Sequence, residues 1–352
     1  MSQSRDRQAI ANSASFVHST VRSGSRSSFL TVLGILIVLL SSFVLSFHNI
    51  TVRVLFSEHL VLGLFVLGGY VAPDLPNSFL LMFMRMLLVV PLMAFLAPKL
   101  YPSAWKECQN LFNRDRRDVL VQAFGCGVLM FVYVASLYVA IGLIPTGIAM
   151  TLFFTYPIFT ALLAWQFFGD RPTLFRWIVM GIILVGSALT VPQSTPTHNS
   201  SAIAIGILAS VGSGVIYALY TVIAQKCFEK LHPVPFTWIS FATTLLLSGI
   251  SLLFWQLPDA QLAWTPLWIG GIFSGLVSFL GHILNNIGIR TIGATAASII
   301  GSSSPALTAL VAWTIIHETL NAIQIIGIGI VTLGIALLSG ERALIKRSRH
   351  SD

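Results

Sequence analysis

Ten apolar stretches occupy most of this chain: 30–50, 79–98, 120–142, 147–168, 175–192, 203–224, 236–255, 266–288, 292–315 and 321–339. Each is close to the roughly 20 residues that cross the hydrocarbon core of a bilayer. Backbone amides inside lipid have no water to bond to, so such stretches must become helices. The rest of the chain cannot build an aqueous surface. Charged residues make up 9% of the sequence and hydrophobic ones 55%, whereas a soluble domain is about 25% charged. Mean hydropathy is +0.85. The predicted fold is an all-α polytopic membrane protein of ten transmembrane helices. One further run, Leu60 to Ala72, is interrupted by Gly63, Gly68 and Gly69. Its length of about 13 residues suits an interfacial or re-entrant segment better than a span.

The net charge of +8 would raise nucleic acid as a partner in a soluble chain. Here the basic residues sit in short clusters between apolar stretches, the pattern of inner loops in a membrane protein, which argues against it. With both termini cytoplasmic, the inner segments hold Arg5, Arg7, Arg22 and Arg26, then Lys99, Lys106, Arg114, Arg116 and Arg117. They also hold Arg171, Arg176, Lys226, Lys230, Arg290, Arg342, Lys346, Arg347 and Arg349, making 18 of the 20 basic residues. Arg53 falls outside and Arg85 within a span. Counting Leu60–Ala72 as a span would put Arg5 to Arg26 opposite every later cluster. The expected location is the plasma membrane, with both ends in the cytoplasm. Residues 1–28 read as a disordered cytoplasmic tail and 341–352 as a basic one. Cys108, Cys126 and Cys227 have no metal or redox spacing, and no cofactor is expected.

The chain also matches itself. A shift of 148 residues lays Pro157 on Pro305, Thr160-Ala161-Leu162 on Thr308-Ala309-Leu310, and Ala164-Trp165 on Ala312-Trp313. In the same register Asp170 falls on Glu318, Gly181-Ile182 on Gly329-Ile330, and Gly186 on Gly334. Spans four and five thus correspond to nine and ten. A unit with an odd number of spans enters the membrane the other way round the second time, so a 5+5 inverted-topology repeat is predicted. The first five-helix repeat is assigned to 29–192, with an outer insertion at 51–77. An outer linker follows at 193–202, and the second repeat covers 203–340.

Three segments of the first copy carry a family resemblance: Gly142 to Met150, reading Gly-Leu-Ile-Pro-Thr-Gly-Ile-Ala-Met; Phe154-Thr-Tyr-Pro157; and Gly169-Asp-Arg171 followed by Gly181. They resemble the EamA domain, in which a proline-bearing helix is followed by a Gly-Glu-Arg-like turn and a glycine-spaced helix. The second copy, Ala294 to Ser298, Pro305, His317-Glu318 and Gly329 to Gly334, resembles it too. Departures are the His-Glu-Thr turn of copy two and Ser46-Phe-His-Asn49 where the family often has a Trp-Gly pair. The resemblance implies membership of the drug/metabolite transporter superfamily, whose members move amino acids, nucleosides, sugar phosphates or drugs. It also implies export driven by an ion gradient.

Polar groups inside a span are costly and therefore candidates for function. A central arginine costs roughly 2.5–3.5 kcal/mol on insertion scales. Arg85, flanked by Met82, Phe83, Met84, Met86 and Leu87, is the leading candidate, a planar donor fork that suits a carboxylate or phosphate. His282, Asn285 and Asn286 share one helical face with Ser278 a turn earlier. His48 and Asn49 end the first span. Tyr133, Tyr138 and Tyr156 are amphipathic pore-lining candidates, and Ser298, Ser302, Ser303 and Ser304, just before Pro305, read either as unwound backbone open to a ligand or as close helix packing. Gly206, Ser210 and Gly214, and likewise Gly271 and Gly275, read as close packing faces. Asp170 and Glu318 read as helix caps.

All twelve acids lie in loops, tails or at span ends, so no buried carboxylate awaits a cation. With Arg85 this favours a small polar substrate, amino acid-like and anionic or zwitterionic, exported by alternating access. His48 and His282 are the natural carriers if a proton is coupled; the coupling proton and a homodimer both stay open. The expected partners are the small-molecule substrate and the lipid bilayer. The competing readings are a membrane-embedded enzyme, for which no nucleophile or metal set is found, and a non-transporting receptor or assembly protein. The chain is not expected to be an enzyme.

Overall fold

The computed structural model describes residues 30–56, 58–72, 75–143, 149, 152–169, 171–190, 200–254, 262–301, 303–317, 321–323, 325–334 and 337. Helix forms within every predicted stretch, though not always over its whole length. Among the described residues seven helical stretches are long and apolar enough to cross a membrane, one of them, Ala294–Ile315, made of two helices in succession. Three more, Tyr156–Phe168, Leu174–Leu189 and Ile325–Gly334, are apolar but shorter. In chain order the helices are α1 (Leu30–Phe56), α2 (Leu75–Leu100), α3 (Ala104–Asn110), α4 (Arg117–Leu143), α5 (Tyr156–Phe168), α6 (Leu174–Thr190), α7 (Ser200–Cys227), α8 (Pro233–Phe254), α9 (Trp264–Ile292), α10 (Ala294–Gly301), α11 (Ser304–Ile315) and α12 (Ile325–Gly334). The tails, most of the linker 193–202, and Asp170 and Glu318 lie outside the described residues.

The two copies interdigitate rather than sit side by side. α4 packs along α7 and α8, and α2 along α8 and α9. Small residues permit this. A Cβ added at Gly127 would come within 2.5 Å of Thr243, while the Thr244 hydroxyl donates to the Gly127 carbonyl at 3.4 Å. Ser213 donates to the Tyr133 carbonyl at 2.7 Å. Ser210 donates to the Ala149 carbonyl, and an added Cβ at Gly214 would come within 2.8 Å of the Phe153 carbonyl oxygen. The stripe of Ser210 and Gly214 therefore lies in an interface between copies.

Spans four and nine are each interrupted. The chain turns at Phe154-Thr155, just before α5, and again at Ser303, just before α11. Both new helices carry a proline in their first turn, after a cap residue with nearly equal backbone angles: φ −74, ψ −10 at Thr155 and φ −71, ψ −14 at Ser303. Proline has no N–H to bond back into the preceding turn, so each helix breaks at the same point of the 148-residue register. The far ends also correspond. Gly169 ends α5 in the left-handed region, φ 70, and His317 past α11 holds φ 51.

The segment after α1 departs from expectation. Leu60–Ala72, expected from the sequence as an interfacial or re-entrant segment, holds no helix. It contains an antiparallel β-hairpin, β1 (His59–Val61) paired with β2 (Phe65–Leu67), so the fold is not wholly α. Left-handed Leu62 and Gly63 (φ 54 and 69) make the turn, a conformation the glycine supplies readily. The insertion is also shorter than 51–77, because α1 continues to Phe56 with Leu55 buried beside Met84 and Leu267. The hairpin bridges copies: the Leu62 N–H donates to the Ile315 carbonyl at 2.6 Å, and Val61 packs with Val311 and Ile316.

The opposite end gathers the basic loops. Lys230 pairs with Asp118 at 3.0 Å, and Arg116 donates to the Lys230 carbonyl at 3.4 Å. Glu107 accepts from the Tyr101 hydroxyl at 2.7 Å and from the His232 N–H at 3.0 Å, while the Tyr101 and His232 rings stack at 4.0 Å. Partial burial and the Arg290 charge hold the His232 imidazole below its ordinary range, against an opposing pull from Glu107. A histidine kept neutral in this way contributes stability above its unfolded pKa of about 6.5 and loses that contribution as pH falls below it. The melting temperature in detergent should therefore drop on acidification from about pH 7 to 5. The drop should be smaller in His232→Gln; an equal drop in both would remove His232 as its source.

Candidate functional site

Three helices bring the candidate polar residues to one level. Arg85 sits about 15 Å from the N-terminal end of α2, His48 about 12 Å from the C-terminal end of α1, and Ser274 about 15 Å from the N-terminal end of α9, counting 1.5 Å per residue. Those three ends all lie on the hairpin side. Gly275 lets α9 approach, for an added Cβ there would lie 3.4 Å from the Arg85 carbonyl oxygen. Arg85 Nη1 stands 2.9 Å from His48 Nε2, and His48 Nδ1 stands 2.9 Å from Ser274 Oγ.

Donor chemistry settles the state of this triad. A guanidinium donates and never accepts, so His48 Nε2 is the acceptor. The ring proton then sits on Nδ1 and faces the serine hydroxyl, and the imidazole is neutral. Arg85 is 4% exposed, its Nε is buried without a partner, and no described carboxylate pairs with it. A buried cation normally holds a counter-charge. This one holds a single neutral imidazole and keeps donors in reserve.

His282 lies two turns further along α9, its ring edge-on to Phe241 at 5.6 Å and within the electrostatic reach of Arg85. One turn on, Asn285 donates to the Tyr217 hydroxyl at 3.4 Å. Tyr217 is the hub of an aromatic cluster, with Tyr156 edge-on at 4.7 Å, Tyr133 at 5.0 Å and Phe153 at 5.6 Å. Asn286 donates to Thr237 at 2.8 Å and accepts from the Tyr220 hydroxyl at 3.3 Å. Tyr156 reaches across the copies to the Ser298 carbonyl at 3.3 Å. Among the described residues, the buried hydroxyls of Ser278 on α9, Thr295 and Ser298 on α10, and Ser303 just before α11 have no hydrogen-bond partner. A buried unsatisfied group costs about 1–3 kcal/mol, so four such hydroxyls are a cost that a purely structural core would avoid.

The result is a buried polar column between the two copies. It brings together Arg85, His48 and His282, and then Asn285, Asn286 and Tyr156. Two candidates stand apart. Asn49 donates to Thr308 at 3.2 Å, tying α1 to α11, and Tyr138 packs half-buried against the core outside these hydrogen bonds. Sequence reasoning missed Ser274, Tyr217, Tyr220 and Thr237. Ser274 was in reach, one turn before Ser278 on the same face of α9. Tyr217 and Tyr220 share a helix face, but aromatic residues in an apolar helix read equally well as packing.

A buried polar seam between duplicated helical units, one helix of each broken by proline, belongs to the class of multi-pass membrane transport proteins. The EamA-like transporter family model matches residues 32–191 and again 204–340. The chain belongs to that family, within the drug/metabolite transporter superfamily, and carries two copies of its domain. It is 48% identical over 324 residues to the uncharacterized transporter sll1319 of Synechocystis, covering 92% of this chain and 98% of that one. It is 26% identical over 212 residues to the threonine/homoserine exporter RhtA of Escherichia coli K12, covering 59% and 68%. The Salmonella typhimurium LT2 RhtA is 27% identical over 244 residues, covering 69% and 77%. A protein of known crystal structure shares the fold, with a TM-score of 0.61 at 16% identity over 89% of this chain and 95% of that one.

Proposed function

We propose that this chain is a secondary transporter that exports small amino acid-like metabolites across the plasma membrane by alternating access. One observation carries the reading: Arg85 is buried at the seam between the copies, unpaired by any described acid, with Nε unbonded. A fork of this kind binds carboxylates in two-point fashion. The export direction and the amino acid character follow the RhtA relatives. The proposed topology is ten spans as a 5+5 inverted repeat with both termini in the cytoplasm. Its support is that the hairpin meets the end of α11 while the loops bearing Asp118, Glu107, Lys230 and His232 meet at the other end. Basic loops belong inside.

The test is flux in proteoliposomes holding the purified chain, against amino acids, nucleosides, organic acids and sugar phosphates. Saturable flux of amino acids, blocked by other carboxylates but not by nucleosides, is the expected result. Flux confined to nucleosides or other compounds without an anionic group would overturn the reading of Arg85.

A further inference from the structure

His48 Nε2 is a single lone pair with three potential claimants. Arg85 holds it at 2.9 Å, and Nδ1–H is engaged by Ser274, so the ring has no second acceptor to offer. The ammonium of a substrate and a free proton would both need this same nitrogen. We propose that His48 Nε2 is the point at which an exported α-amino acid and a coupling proton exchange. The substrate carboxylate draws the Arg85 fork to itself, its ammonium takes the vacated Nε2, and a proton occupies that nitrogen after the substrate has left. This rests on the reading of Arg85 as the carboxylate anchor.

The surroundings leave few other routes. Among the described residues, the titratable groups whose charges act on His48 are Arg85 on α2 and His282 on α9, with Tyr133 of α4 in the field of Arg85. On the α11 side the neighbouring contact is between Asn49 and Thr308, which do not titrate. No described carboxylate is present to hold the ammonium or to take the proton instead. The two charges of an α-amino acid match an adjacent donor fork and acceptor, whereas an organic acid or an amine satisfies only half of the pair. The balance is simple. One proton adds to Nε2 to form the imidazolium, travels inward and is lost to water, while one net-neutral zwitterion travels outward. Each cycle moves one positive charge. Arg85 beside an imidazolium repels it, which favours discharge of the proton over its retention.

The experiment uses the full chain in proteoliposomes with three probes: L-threonine, 3-hydroxybutyrate, which lacks the ammonium, and 1-amino-2-propanol, which lacks the carboxylate. An acid lumen should concentrate threonine inside the vesicles. Each half-charged analogue should move at least about tenfold more slowly, the effect of leaving one buried charge unpaired. With no pH gradient, a potential positive inside should speed threonine entry. Accumulation driven by an acid exterior would mean that proton and substrate travel together and would overturn the exchange. Indifference to both pH and potential would overturn it as well, and that measurement needs only the wild type.

His48→Gln retains an acceptor oxygen but binds no proton. Its slower flux should lose both the pH dependence and gradient-driven accumulation, and a variant that still accumulates threonine against its gradient sinks the proposal. Ser274 is a positioning residue. Ser274→Ala should shift the pH profile and Ser274→Thr restore it; identical profiles in all three would remove Ser274 from the mechanism. Wild-type threonine flux that is abolished by Arg85→Gln yet ignores pH and potential would leave the carboxylate reading standing and end this one. No flux of threonine or any other α-amino acid from the folded wild type would end both.

Discussion

Arg85→Gln should lower flux by roughly thirtyfold or more, since truncating one side of a buried charge interaction costs about 2–5 kcal/mol and each 1.4 kcal/mol is a factor of ten. Glutamine is the informative replacement because its amide can still donate to His48 Nε2, so the rest of the column keeps its partners. The variant should also fold at least as well as the wild type, for it removes a group whose insertion costs roughly 2.5–3.5 kcal/mol. Lost flux with undiminished thermal stability marks a residue kept for its ligand, not for the fold. Arg85→Lys should fall between the two, holding the charge but not the fork. Unchanged flux in Arg85→Gln would dismiss the residue as an anchor, and a collapse of folding in the same variant would recast it as structural.

Gly214→Val should abolish the folded protein, while Gly212→Ala, two residues away on α7, should be harmless. At Gly214 a Cβ would stand 2.8 Å from the Phe153 carbonyl oxygen, a backbone atom that cannot swing aside. That carbonyl lies four residues before Pro157 and has lost the N–H that would bond it in an unbroken helix. Nothing lies within 4 Å of a Cβ at Gly212, so alanine there should gain up to about 1 kcal/mol of helix propensity. Overpacking by one methyl costs about 1–3 kcal/mol, which already outweighs that gain at Gly214, and valine adds two more carbons. Size-exclusion profiles of the two variants after graded heating would separate them. A Gly214→Val peak that survives heating as well as the Gly212→Ala peak would show that α7 does not press on this break.

Apolar run length and the duplicated prolines made the helical regions and the repeat legible, because lipid leaves the backbone few alternatives. The hairpin was not legible. Gly63, Gly68 and Gly69 read as small residues in an apolar run, and the hydrogen bond from Leu62 to Ile315 spans some 250 positions of chain. Arg85, His48 and His282 announced themselves because ionisable groups are scarce in spans. Their pairing did not, since it depends on how α1, α2 and α9 cross. Tyr217 and Tyr220 stayed hidden because the role of a tyrosine is decided by what meets its hydroxyl, here Asn285 and Asn286.

The paired interruptions before Tyr156 and Ser304 bear on how such a machine can be adjusted. On the inverted topology and alternating access proposed here, they are one joint used twice, related by a half-turn about an axis lying in the plane of the membrane. Whatever bending at one exposes the seam to the cytoplasm, the same bending at its twin exposes it to the outside. Neither face then needs a gate of its own invention. The resting preference between the two faces becomes a difference between near-equal quantities, and small changes confined to one copy are enough to tilt it.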